Sequence, residues 1–232
     1  MKKVLGVILA LFLIVTASLV FSACQEDKEP EGQLPVLQVG DQWVWQYEME
    51  GKSYTLTEEV IGEENVEGRD CYVIEMAFDP VMTSTHEGVV YTTVGMRYWS
   101  DKATGLLGVK HEYTTATNEL TYTSCMMYSY NPWTSLFPLK VDKEVELEKT
   151  ATNYFENEQY GEPEVATERY AVVGREDITV AAGTFSCWEI TYYDSSSGVT
   201  QIMWWSDEVK TMIKSVDQDG NIIMELQSYS VS

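Results

Sequence analysis

The sequence predicts an all-β domain built as an antiparallel meander, and three observations carry that prediction. Large apolar residues alternate with polar ones at a period of two along most of the chain from Trp43 onward. No segment shows a helical stripe of useful length. Gly, Asp, Asn or Pro bounds each alternating run, and the short loops this implies join antiparallel neighbours. At 44% hydrophobic and 12% aromatic, 232 residues can bury a real core and are too apolar for a disordered polymer.

The elements follow in order. Trp43, Trp45, Tyr47 and Met49 share one face and Val44, Gln46 and Glu48 the other, so Trp43–Met49 is a strand. Glu50-Gly51-Lys52 turns the chain, and Ser53–Ile61 resumes with Tyr54 and Leu56 on one face. Strands are expected next at Asp70–Phe78, Val89–Gly95, Met96–Ser100, Leu106–Thr114 and Leu120–Tyr130. The second half continues with Lys143–Tyr154, Glu164–Gly174, Thr184–Asp194, Val199–Ser206, Thr211–Asp217 and Asn221–Val231. Ser195-Ser196-Ser197-Gly198 and Asp217-Gln218-Asp219-Gly220-Asn221 are the clearest hairpin turns, because Gly takes a positive φ without a Cβ clash.

An internal repeat is visible. Val60-Ile61-Gly62-Glu63-Glu64 matches Val172-Val173-Gly174-Arg175-Glu176, and Cys71-Tyr72-Val73-Ile74 matches Cys187-Trp188-Glu189-Ile190. Tyr98-Trp99-Ser100-Asp101 then matches Trp204-Trp205-Ser206-Asp207, and Val39-Gly40-Asp41 pairs more weakly with Val141-Asp142-Lys143. Residues 36–130 and 138–232 thus read as two copies of one meander, joined by a packed linker, 131–137, in a single domain. The expected architecture is one strongly curved sheet or half-barrel that covers its own apolar face.

The N-terminus carries a different signal. Lys2 and Lys3 precede an apolar run that ends at Phe21-Ser22-Ala23-Cys24, the pattern of a secretory signal over residues 1–23. The last four residues resemble the lipobox of prokaryotic lipoproteins, in which the Cys receives a diacylglyceryl group before cleavage. The resemblance implies a lipidated Cys24 at the mature N-terminus, followed by an acidic tether over residues 24–35. It places the domain on the outer face of a membrane, and Gln25 resembles the residue found in lipoproteins sorted to an outer membrane. More than one acyl chain makes such an anchor durable.

Charge excludes one class of partner. Fifteen Lys and Arg against 37 Asp and Glu give a net charge of -22, without the basic surface that phosphates require, so nucleic acid is not a partner. The expected partners are the membrane, through the N-terminal lipid, and a lipid or other apolar ligand.

A longer pattern lies in the second half: Ile178-Thr179-Val180-Ala181-Ala182-Gly183-Thr184-Phe185-Ser186-Cys187, then a Trp-Trp-Ser segment, then Lys214 in the following strand. It resembles envelope lipoproteins grouped with the curved-sheet carriers and receptors of bacterial lipoprotein sorting, the LolA/LolB-like superfamily. The resemblance covers about the last 60 residues strongly and the first repeat weakly. It implies a curved antiparallel sheet whose concave face holds acyl chains, and it implies no catalysis. Only scaffold positions match, so no functional residue is carried over.

Side chains that could do chemistry are few. His86 sits in the polar loop Thr83–Gly88 and His111 in a strand beside Glu112; neither has a partner at ligand spacing, and both read as solvated. Cys71, Cys125 and Cys187 remain after lipidation, an odd number, so one must be free; Cys71 and Cys187 read as core residues, with a bridge between them open. Acid clusters such as Glu58-Glu59 and Glu63-Glu64 read as solvated faces, and no metal, cofactor or catalytic residue is expected. The candidate ligand face comprises Trp43, Trp45, Tyr47, Trp99, Trp204 and Trp205, with several Met residues as deformable neighbours. The expected function is a non-catalytic, membrane-anchored lipoprotein that binds an apolar, lipid-like ligand or an envelope component. The alternative is a structural or adhesive surface module that recognises protein or glycan.

Overall fold

The computed structural model describes residues 31–232 apart from Glu50, Leu106 and Asn157. The signal segment, Cys24 and the tether as far as Pro30 lie outside the described residues. The strands are β1 (Gln42–Met49), β2 (Lys52–Val66), β3 (Arg69–Asp79), β4 (Thr83–His86), β5 (Val89–Asp101), β6 (Gly108–Ala116), β7 (Thr121–Asn131), β8 (Glu144–Phe155), β9 (Glu158–Val180), β10 (Gly183–Asp194), β11 (Val199–Ser206), β12 (Thr211–Asp217) and β13 (Ile222–Ser230). All pairings between them are antiparallel, and no helix occurs among the described residues.

The sheet closes, which corrects the expected open half-barrel. Apart from β3 and β4, which both pair with β5, each strand pairs with its sequence neighbours, and the first pairs with the last: Gln42 faces Ser230, Trp45 faces Leu226 and Tyr47 faces Met224. Twelve strands form the ring, while short β4 and residues 71–76 of β3 share one edge of β5. The hairpin pattern of a sequence records neighbours along the chain, whereas closure depends on accumulated twist and stagger around the ring. Closure also leaves no unpaired edge along the ring.

Smaller corrections have local causes. Val89–Asp101 is one strand, because the chain passes Gly95 with a register shift instead of a turn. Thr83–His86 is paired rather than looped, against Val89–Thr92. Strand β9 runs 23 residues, starting six before the expected Glu164, where its alternation gives way to exposed polar residues. Cys71, Cys125 and Cys187 are all free, and Cys71 and Cys187 are buried in separate clusters.

One end of the barrel is filled. Leu136, Phe137 and Leu139 pack with Val172, Trp188, Ile190 and Trp205. Gly32 and Leu139 exchange backbone hydrogen bonds of 2.9 and 2.8 Å. A Cβ on Gly32 would stand 2.8 Å from the Leu139 Cβ and against the Trp188 ring, so the position tolerates no side chain. Asp41, 1% exposed, accepts from Gln38 N, Ser232 N and Lys210 Nζ, and so ties both chain ends of the barrel to the loop after β11.

Contacts recur between the two halves. Trp99 Nε1 donates to Glu64 at 2.5 Å, and Trp204 Nε1 donates to Glu176 at 2.6 Å. Lys110 lies 4.2 Å from the Trp99 ring centroid, and Lys214 lies 6.0 Å from that of Trp204. Gly40 N bonds Val60 O as Asp142 N bonds Val172 O. The ladders skip one residue at Ile61 and at Val173. Register sets Trp99 opposite Val73 and Trp204 opposite Glu189, so Trp99 corresponds to Trp204 and Ser100 to Trp205. The Trp-Ser-Asp likeness in the sequence is one residue out of step with this geometry.

Candidate functional site

The interior of the ring is the candidate site, and strand alternation decides what enters it. On β1, Trp43, Trp45 and Tyr47 face inward; on β2, the facing residues are Glu58, Leu56 and Tyr54. Twelve strands make a wider tube than the eight whose side chains alone fill a barrel. A cavity of about 270 Å³ remains, near the lower end of small-molecule sites, roughly 300 Å³. Its wall includes Trp43, Ile74, Tyr98, Met203, Trp205 and Met224, with Leu37 and Lys210 from the filled end.

Glu58 is the unusual member of that wall. It is 8% exposed and sits across the β1–β2 ladder from Trp43. The Trp45 indole N–H is turned toward its carboxyl but closes no hydrogen bond of ordinary geometry, and no cation pairs with it among the described residues. Burial therefore pushes the Glu58 carboxyl up to about 7. The same burial, with Glu58 nearby, holds the Tyr98 phenol far above its ordinary range. Five of the seven indole N–H groups have partners, and the two without are Trp45 and Trp205, both deep inside.

Next to the cavity lies a polar layer. Lys149 Nζ bonds Glu168 Oε1 at 2.6 Å and Asp194 Oδ2 at 2.8 Å. Tyr170 and Tyr192 each donate to Glu168 at 3.0 Å, and both rings also border the cavity. Burial raises the Asp194 carboxyl, but the Lys149 and Ser196 hydrogen bonds overcome it and hold the group down at about 2. Burial lowers Lys149, and the bonds to Asp194 and Glu168 more than restore it. His111 stacks edge-on against Tyr98 and Tyr128; burial, then the nearby Lys149 charge, pushes it down to about 4, so it is neutral at neutral pH.

The predicted ligand face divides. Trp43 and Trp205 line the cavity, Trp45 is fully buried beside Glu58, and Tyr47 packs against Tyr54 and Phe78. Trp99 and Trp204 belong to the other face, each bonded to a carboxylate and approached by a Lys. Glu58 and His111 are not solvated, which corrects both readings. The signal was present for Glu58: it follows Tyr54 and Leu56 at a period of two, whereas Glu59 points outward and accepts from Gln42. Lys149 sits likewise between inward Leu147 and Ala151, and Glu168 between Ala166 and Tyr170. A charge in the apolar phase of a strand is the mark that would have found all three.

The end opposite the filled one exposes apolar side chains in loop after loop. They include Val81 before β4, Val89 after it, Leu120 before β7, Phe155 and Tyr160 around the β8–β9 turn, and Ile222 after the last turn. Tyr160 is the most exposed, at 71%.

No protein-family model and no curated protein matches this chain. Among solved structures, it is similar to a protein of Parabacteroides distasonis provisionally described as a lipoprotein. The two are 13% identical, over 87% of this chain and 100% of that one, with a TM-score of 0.39. It is also similar to a protein of Bacteroides fragilis provisionally described as exported and as having a YmcC-like fold. There the identity is 14%, with the same coverage and a TM-score of 0.42.

Proposed function

We propose that this chain is a lipid-anchored envelope protein whose closed barrel holds one small apolar ligand, without catalysis. The observation that carries the ligand reading is the cavity itself: a mostly apolar, partly open pocket whose wall holds a buried carboxyl with no cation beside it. Its volume suits a single short chain or ring system rather than a multi-chain lipid. The acids that the fold brings together, Glu168 and Asp194, share the Lys149 ammonium, an arrangement that supports structure rather than proton transfer. The resemblance to lipoprotein-sorting carriers rests on the Ile178–Cys187 pattern, and the matched contacts of the two halves support their reading as repeats.

The test of binding is mass spectrometry of gently purified protein under native conditions. A small molecule that is released on denaturation is expected. A barrel that purifies empty and gains no thermal stability from short-chain amphiphiles would end this reading. The anchor is tested separately. Cys24→Ser is expected to move the protein from the membrane to the soluble fraction, and unchanged retention in a membrane pellet would rule out lipidation at Cys24.

Some surface recognition is favoured by the apolar loops at the open end of the barrel, Tyr160 and Phe155 foremost. They fit a protein-facing rim better than a glycan groove, since every Trp is at least half-buried.

A further inference from the structure

We infer that the barrel cavity is built for an organic cation, an amine-bearing ligand with an apolar body whose ammonium group is held by Glu58 between the rings of Trp43 and Tyr98. This rests on the reading of the cavity as a ligand site and gives that ligand its chemistry.

The first argument is charge. Glu58, Glu168 and Asp194 face the interior and the layer beside it, against the single ammonium of Lys149. Lys210 on the cavity wall is already paired with Asp41 at 3.3 Å, and neutral His111 adds nothing. Lys110 and Lys214 are engaged outside with Trp99 and Trp204. The interior therefore has a carboxyl with no protein cation to meet it. A buried carboxyl in that position is tolerated by staying protonated or is satisfied by a cation brought from outside.

The second argument is the surroundings of that carboxyl. Trp43 lies across the ladder, Tyr98 lines the same wall, and Ile74 and Met224 complete an apolar setting. Aromatic faces attract an ammonium group most strongly where water is excluded. A fatty carboxylate would meet Glu58 as a like charge, and an uncharged chain would leave the carboxyl unpaired. Short apolar length is set by the volume of about 270 Å³.

Ionisation should tune the site. Binding of the cation strengthens as pH rises through about 7, where Glu58 loses its proton. Of the other ionisable groups that face the cavity, Tyr98, Tyr170 and Tyr192 keep their protons well past that range, and Lys210 stays paired with Asp41.

The experiment compares octylamine, octanol and octanoate, which share a chain and differ in the head, on the full mature chain carrying Cys24→Ser. Binding is read by tryptophan fluorescence and calorimetry at about pH 8. Octylamine is expected to bind at least about tenfold more tightly than octanol, with octanoate weakest. Glu58→Gln is expected to remove the octylamine advantage while octanol binding stays within about twofold. Octanol or octanoate binding as well as octylamine would overturn the inference and leave the cavity reading standing, as would an advantage that survives in Glu58→Gln. If none of the three binds, the cavity reading falls and this inference falls with it. The wild-type comparison decides the question even if Glu58→Gln folds poorly.

Discussion

Glu58→Gln is expected to raise the melting temperature of the ligand-free protein by roughly 10 °C at about pH 8 and to leave it nearly unchanged at about pH 4. The sign follows from the carboxyl being pushed up from 4.5 to about 7 in the folded chain. Below 4.5 it is protonated in both states and costs little. Between 4.5 and 7 the unfolded chain releases a proton that the folded chain retains, so stability is lost as pH rises, and above 7 the loss is complete. A rise from 4.5 to about 7 corresponds to about 3 kcal/mol, at roughly 1.4 kcal/mol for each tenfold change in proton affinity. For a domain of this size, each kcal/mol moves the transition by about 2–4 °C. Thermal melts across that pH range check the prediction. A variant that is less stable than wild type at high pH would show that the carboxyl has a protein partner after all. The wild-type residue thus lowers stability where its charge is most useful, the usual balance at a binding site.

Lys149→Met is expected to cost about 3 kcal/mol, because it strands Glu168 and Asp194 without their shared cation. Only 5% of the Glu168 side chain and 11% of that of Asp194 are exposed, so water offers little relief. The triple variant Lys149→Met, Glu168→Gln, Asp194→Asn is expected to recover most of the loss, since removing a whole buried cluster is cheaper than breaking it. Urea denaturation at neutral pH measures both. A loss under about 1 kcal/mol in the single variant would place the cluster in effective contact with solvent. The acid limb supplies an independent reading: Asp194 is held down at about 2 from 3.8, so its contribution is present above about 4 and fades as pH falls toward 2. Lys149→Met should flatten that limb.

Most strands were legible in the sequence because a half-buried strand declares itself by alternation over a few residues. Trp43, Trp45 and Tyr47 announce β1 whatever it pairs with, and the turn at Asp217–Asn221 needs only its own Asp, Gly and Asn, with Asp217 accepting from Asn221 and Asp219. The lipobox-like segment Phe21–Cys24 is likewise a local pattern. The interior charges were harder to see because composition hides them. Among 37 acids, Glu58, Glu168 and Asp194 look like any others until each is assigned a strand phase.

Apart from β4, the unbroken β5, the interior place of Glu58 and the outward phase of Trp99 and Trp204, local pattern settles most of the strands and the order in which most neighbours pair. Each of these depends on side chains within about one hairpin of one another. The meeting of β1 with β13, some 180 residues away, has no such local cause, and it turns a curved sheet into a closed ring. Closure is a sum of small twists and register shifts, the skipped residues Ile61 and Val173 among them, and no single segment records the total. Neighbour pairing of β8, β9 and β10 sets Glu168 opposite Leu147 and Asp194 and so brings both acids to Lys149, but only closure leaves Glu58 inside with no cation to face.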